Sequence, residues 1–210
     1  MSSNDPCKPS SYPPSKTALL LLDYQNVLVG MIQDPERKEK LVESAKTLLA
    51  TARKNNVAIV HCLMDTNKDP PANSKVTEQY LSLHKPALSA NPILSAEYSD
   101  LAIAGRTSEG GHESTSLRPP GYRSALVAEG ILPLLREKLG VTHLILGGIA
   151  TSGAVLGTAT HATDLDFVVT VVEDACWDPN EQVHRALIDT VIPTLAWVSD
   201  VEEAVRNMTG

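Results

Sequence analysis

Two places in this sequence gather residues able to act on a small molecule. The first is Asp23, which ends the uninterrupted apolar run Ala18-Leu19-Leu20-Leu21-Leu22. A carboxylate there is poorly solvated, so its pKa rises unless a cation stands near, and a carboxyl tuned in that way suits a proton donor or base. Asp23 also reads as a cap for the turn through Tyr24, Gln25 and Asn26, and pattern alone does not separate the two roles. The second place is Leu144–Val155, where an apolar stretch runs into Gly147-Gly148 and then into Thr151 and Ser152, which can cap a helix beginning near Gly153. Backbone N–H groups with a positive helix end behind them can hold a carboxylate, or an oxygen that gains charge in a transition state. Strand-Gly-Gly-helix junctions are common, so this one also reads as a plain connection.

Both places need a scaffold that brings strand ends to one edge, which is what an open parallel sheet does. The run ending at Asp23 is apolar at every position, as a strand covered on both faces requires. Similar runs at Val57–Leu63, His143–Leu146, Phe167–Val172 and Leu195–Val198 bring the candidate core strands to five. Between them lie helical patterns. Asp34 and Pro35 form an N-cap and first helical position, after which Leu41, Ala45, Leu48, Leu49 and Ala52 recur at helical spacing until Asn55-Asn56. Shorter helices are expected at Ile131–Leu139, stopped by Gly140, and at Gly153–Thr163 and Glu181–Thr190. Strands alternating with helices imply an α/β three-layer sandwich, a mostly parallel sheet of about five to six strands with helices on both faces.

Residues 1–16, with Pro6, Pro9, Pro13 and Pro14 among serines, read as a flexible arm ahead of a single domain over 17–210. Met64–Arg123 is rich in Pro, Gly, Ser and Asn and has only a modest helical pattern at Val76–Leu83. It reads as a partly ordered excursion over the active-site face or into a subunit interface. The charge of −7, from 18 Lys plus Arg against 25 Asp plus Glu, and the absence of a basic run argue against nucleic acid. No apolar stretch approaches the roughly 20 residues that cross a bilayer, and the start lacks a signal-peptide core, so the expected compartment is the cytoplasm and no membrane partner is expected. Cys7, Cys62 and Cys176 are scattered and read as free thiols.

The segment GIATSGAVLGTATHATDLDFVVTVVEDACWD at 148–178, followed by Val183-His184-Arg185, together with Leu19–Asn26, resembles the isochorismatase-like (cysteine hydrolase) family. The resemblance runs from Thr17 to about Val198 and is weak in the middle. It implies a parallel sheet flanked by helices, assembled as a homodimer or homotetramer. It also implies an aspartate, a lysine and a cysteine as the working groups. The aspartate corresponds to Asp23, whereas the cysteine position carries Ala154. The lysine is expected in the stretch Leu117-Arg118-Pro119-Pro120-Gly121-Tyr122-Arg123-Ser124, where its place falls at Pro120. Arg118 or Arg123 can replace its charge for binding or stabilisation but not as a general acid. The resemblance further implies a cis peptide at Ile149–Ala150, an oxyanion site from the N–H groups of Ala150 and Ala154, and a substrate-binding edge that includes Gln25, Ile149, Thr151 and Gly153.

A methyl group cannot attack a carbonyl, so thioester chemistry is excluded at Ala154. What the resemblance leaves is a hydrolase acting on a small acidic or carbonyl-containing metabolite by vinyl-ether-type or other acid–base chemistry with Asp23. Without its usual lysine, Asp23 is expected to shift toward a protonated, donating form. The alternative is a catalytically silent relative that binds a metabolite or a partner protein. Cys62 and Cys176 lie near strand ends, but free cysteines are more often inert. No metal is expected, because His61-Cys62-Leu63-Met64-Asp65 lacks the Asp-x-His of metal-binding relatives and His84, His112 and His161 are dispersed. No cofactor is expected either.

Overall fold

The computed structural model describes residues 5–103 and 112–209. Residues 1–4 of the expected arm, 104–111 of the expected excursion and position 210 at the end of the expected domain lie outside the described residues. Six strands form the sheet: β1 Thr17–Leu22, β2 Ala58–Met64, β3 Glu113–Arg118, β4 His143–Ile149, β5 Val168–Trp177 and β6 Trp197–Ser199. Their order is β3-β2-β1-β4-β5-β6, and every neighbouring pair is parallel. The chain therefore winds outward from β1 in both directions, and all strand carboxyl ends share one edge.

β1 is central, and its leucines divide between two cores as a two-residue period demands. Leu20 and Leu22 pack with Leu135, Val155 and Ile188 on one face. Leu19 and Leu21 pack on the other with Leu48, Leu49 and Met208. Asp34 caps helix Pro35–Lys54 by accepting from the backbone N–H of Glu36 at 3.0 Å. Its buried stripe is the expected one with Val42 added.

The later helices are shorter or less regular than their spacing suggests. The expected helix at Ile131–Leu139 is a turn at Ile131–Pro133 followed by a π-helical segment Leu134–Lys138. Glu181–Ala186 likewise widens into a π-helical Leu187–Val191. Two elements had no clear signal in the sequence. Helix Val201–Thr209 buries only Ala204 and Met208, and β3 is the polar edge sequence ESTSLR inside the expected excursion. The segment ahead of β1, expected to be loose, makes specific contacts over residues 5–16. It forms two 3-10 turns, buries Pro9, and its Cys7 carbonyl accepts from Trp197 Nε1 at 2.8 Å.

β1 and β4 approach each other closely where the site begins. A Cβ at Gly148 would stand 2.5 Å from Leu22 Cβ and 2.6 Å from the Leu22 carbonyl oxygen. Gly148→Ala must therefore push the two central strands apart at their carboxyl ends. The expected loss is about 1–3 kcal/mol or more, as for other overpacked cores. A shift in the urea unfolding midpoint at constant slope measures it.

Candidate active site

The chain leaves β1 at Asp23 in a left-handed conformation, φ 56°, which aspartate tolerates better than most side chains. The Asp23 N–H donates to the Cys62 carbonyl at 2.8 Å, and the Gln25 N–H donates back to the Asp23 carbonyl at 2.7 Å. These bonds fix the turn and leave the Asp23 carboxylate at the carboxyl edge of the sheet. At the end of β3, two strands away, Arg118 reaches over the same edge. Its Nη1 and Nη2 donate to the two Asp23 oxygens at 2.7 Å and 2.5 Å, and its Nε donates to the Tyr122 carbonyl at 3.1 Å. Both side chains are about 5% exposed.

Of the two arginines considered as replacements for the lysine's charge, Arg118 is the one that meets Asp23. Burial is the largest influence and leaves the Asp23 carboxyl above the ordinary range, with the hydrogen bonds and charge of Arg118 offsetting only part of the rise. A protonated carboxyl accepts less strongly and gives up an acceptor site to its own O–H, so the bidentate geometry favours the ionised form. The net rise has the direction expected from the missing lysine, while the Arg118 fork favours the ionised form, so Asp23 is a carboxylate that takes up a proton more readily than a solvated aspartate. Pro120 is buried and offers no charge.

Facing the pair is the junction after β4. The Ile149–Ala150 peptide is cis. A π-helical turn Thr151–Val155 then leads into helix Leu156–Asp164. A cavity of about 240 Å³ joins the two halves: Asp23 and Arg118 on one side, Ile149, Ala150, Gly153 and Ala154 on the other. Arg123 also lines it and donates from Nη1 to the Ser152 carbonyl at 3.2 Å. Of the residues assigned to this edge, Gln25 and Thr151 do not line the cavity. The Gln25 amide is consumed by the Met64 N–H and the carbonyls of Met64 and Ser95, tying β2 to the following segment. Thr151 is fully buried, with its hydroxyl 2.8 Å from His184 Nδ1.

The junction also has supports that sequence reasoning missed. Asp178, buried at the end of β5, accepts from the Ser152 N–H at 2.8 Å and from the Asn180 N–H at 3.1 Å. Asp178 and His184 both fall in the segment that resembles the family, but nothing in their spacing shows that they brace this turn. Leu28, from the short helix Asn26–Val29, and Val76 and Tyr122, from loops, enter the cavity wall along paths that depend on the tertiary fold.

The thiols cannot replace the missing nucleophile. Burial pushes the Cys176 pKa up to about 12 and that of Cys62 higher still, so neither supplies a thiolate at neutral pH. His61 is fully buried between Glu97 and Glu113, at 2.6 Å and 3.0 Å, and Arg53 holds Glu113 from the far side. This is a charge network beneath the sheet edge. Among the described residues no group of three or more His, Cys, Asp or Glu side chains is placed to hold a metal ion.

A model of the Isochorismatase domain family matches residues 17–95 and 124–203. The chain belongs to the isochorismatase family. The unmatched stretch includes β3 and Arg118, so the cation facing Asp23 comes from the part of this isochorismatase-family protein that the family pattern does not cover. Among curated relatives it is similar to the maleamate amidohydrolase of Pseudomonas putida, 28% identical over 93% of this chain and 89% of that protein. It is also similar to the uncharacterized isochorismatase family protein YecD of Escherichia coli O157:H7, 25% identical over 91% of this chain and 96% of the relative. A solved isochorismatase family protein from Burkholderia thailandensis has the same fold, with TM-score 0.73 and 19% identity over 93% of this chain and 97% of its own. The family's members are hydrolases, and among the described residues no helix is long and apolar enough to cross a membrane.

Two outcomes follow from this geometry. Replacing Arg118 with Met strands a buried carboxylate and should cost about 3–5 kcal/mol, whereas Asp23→Asn combined with Arg118→Met should cost less than the sum of the single changes. Urea unfolding of the four proteins reads both numbers. Iodoacetamide should label the exposed Cys7 in the native protein and reach Cys62 and Cys176 only after unfolding, as peptide mass spectrometry would show.

Proposed function

We propose that this protein is an isochorismatase-like hydrolase that works on a small acidic or carbonyl-containing metabolite without a covalent thioester. The observation that carries this reading is that the Asp23 carboxylate opens onto the same cavity as the Ile149–Ala154 turn, with a methyl group where thioester chemistry needs sulfur. Asp23 takes a proton from the attacking water, whose oxygen bonds to the electrophilic carbon. Negative charge then gathers on the substrate oxygen, toward the backbone N–H groups of the turn. The proton held on Asp23 passes to the leaving group as its bond to carbon breaks. Arg118 stays protonated throughout, keeping Asp23 in the accepting form and stabilising its orientation. Esters and amides fall within this base-first step, whereas a vinyl ether requires Asp23 to start protonated, deliver that proton to the enol-ether carbon and take one back from the water that adds. The name of the maleamate amidohydrolase relative makes amides worth including in a substrate panel.

A silent relative remains the second reading, favoured by one observation. Arg118 saturates both oxygens of Asp23, and the pair is almost fully buried. Screening small carboxylated esters, amides and vinyl ethers separates the two. The hydrolase reading expects turnover by the wild type and a loss of about 10²–10⁴ in Asp23→Asn, with the fold retained by circular dichroism. Near wild-type turnover by a folded Asp23→Asn would remove Asp23 from the chemistry. Binding of panel members without any turnover would favour the silent reading.

A further inference from the structure

The cavity contains two arginines that are not equivalent. Arg118 commits its charge to Asp23 and its Nε to the Tyr122 carbonyl. Arg123 is exposed at the cavity mouth, where Nη1 donates to the Ser152 carbonyl at 3.2 Å. Among the described residues no carboxylate lies within ion-pair distance of it. A guanidinium has five N–H donors, so most of those on Arg123 remain open to a ligand. Asp23 and Arg118 cancel, and Arg123 leaves the charged groups of the cavity with a net positive charge.

The position of Arg123 is built into the fold. At Gly157, in the helix that follows the turn, a Cβ would stand 2.6 Å from Arg123 Cβ and 3.1 Å from its carbonyl carbon. Only a glycine lets the 121–124 segment lie this close to the helix. A Cβ at Gly153 would come within 3.6 Å of Arg123 Nη1, so the guanidinium rests directly on the first turn. The intervening wall is apolar, from Leu28, Val76 and Ile149.

We propose that this cavity selects substrates carrying a carboxylate on a small apolar body, and that Arg123, not Arg118, is the side chain that pairs with the carboxylate. The inference builds on the reading of Asp23 as the proton acceptor, since the paired carboxylate places the reacting carbon between Asp23 and the turn. A planar guanidinium with open donors suits a carboxylate in two-pronged geometry, and a neutral amide of the same shape gains much less.

Ligand-observed NMR titration of the full chain with matched pairs tests it: crotonate against crotonamide, and benzoate against benzamide. The carboxylate of each pair should bind at least tenfold more tightly at low salt, with the preference shrinking in 0.5 M NaCl. Arg123→Gln should abolish the preference and Arg123→Lys should keep part of it. The thermal midpoint of each variant checks that the fold is intact. Equal binding within the pairs, no binding by any of them, or a preference that survives in folded Arg123→Gln would overturn the proposal. Binding needs no turnover, so a preference that persists in Asp23→Asn separates this result from the fate of Asp23 as a base.

Discussion

A carboxylate and a guanidinium, both nearly removed from water, face each other across the carboxyl edge of the sheet. Asp23 comes from the central strand and Arg118 from the outermost strand on that side, with β2 between them. Each ion alone would be costly to bury, and the two together are tolerable because the fork geometry satisfies both oxygens. Much of the local architecture serves that meeting. The left-handed backbone at Asp23 turns the carboxylate to the edge, and β3 continues just far enough to deliver Arg118.

The same pair defines the chemistry available. An ammonium can donate or withhold a proton, but a guanidinium at neutral pH can only hold charge in place. The cation beside Asp23 is therefore fixed, and Asp23 is the member of the pair that can exchange a proton. The alanine in the first turn after β4 presents a methyl group, not a thiol, to the same cavity. The support of that turn is polar and buried: Asp178 on the Ser152 N–H, and His184 against Thr151.

Arg123 shows how closely the cavity wall and the packing of the fold are tied here. Its reach depends on Gly157, which lies a helical turn beyond the junction and does not line the cavity. A larger side chain there would displace the 121–124 segment, and with it the Tyr122 carbonyl that holds Arg118. The two arginines are thus placed by one stretch of backbone, and that stretch is held by a close contact between a loop and a helix.

The sequence by itself determined the central scaffold and pointed to the candidate site. Continuous apolar runs made Leu19–Leu22 and Leu144–Leu146 legible as buried strands, and the Asp34-Pro35 start with its apolar spacing made helix Pro35–Lys54 legible to within its ends. Asp23 and the Gly147–Ala154 junction stood out because polar or small residues interrupt strong apolar patterns. Edge strand β3 was not legible, because a polar strand such as Glu113–Arg118 gains its place from pairing with Ile59–Met64 rather than from its own hydrophobicity. Only the tertiary structure decided that Arg118 meets Asp23 over 95 residues of chain, that Gln25 and Thr151 brace the site instead of lining it, and that Arg123 has no carboxylate partner among the described residues. Local patterns report burial and backbone preference, whereas the pairing of distant charges depends on where the whole sheet brings its strand ends together.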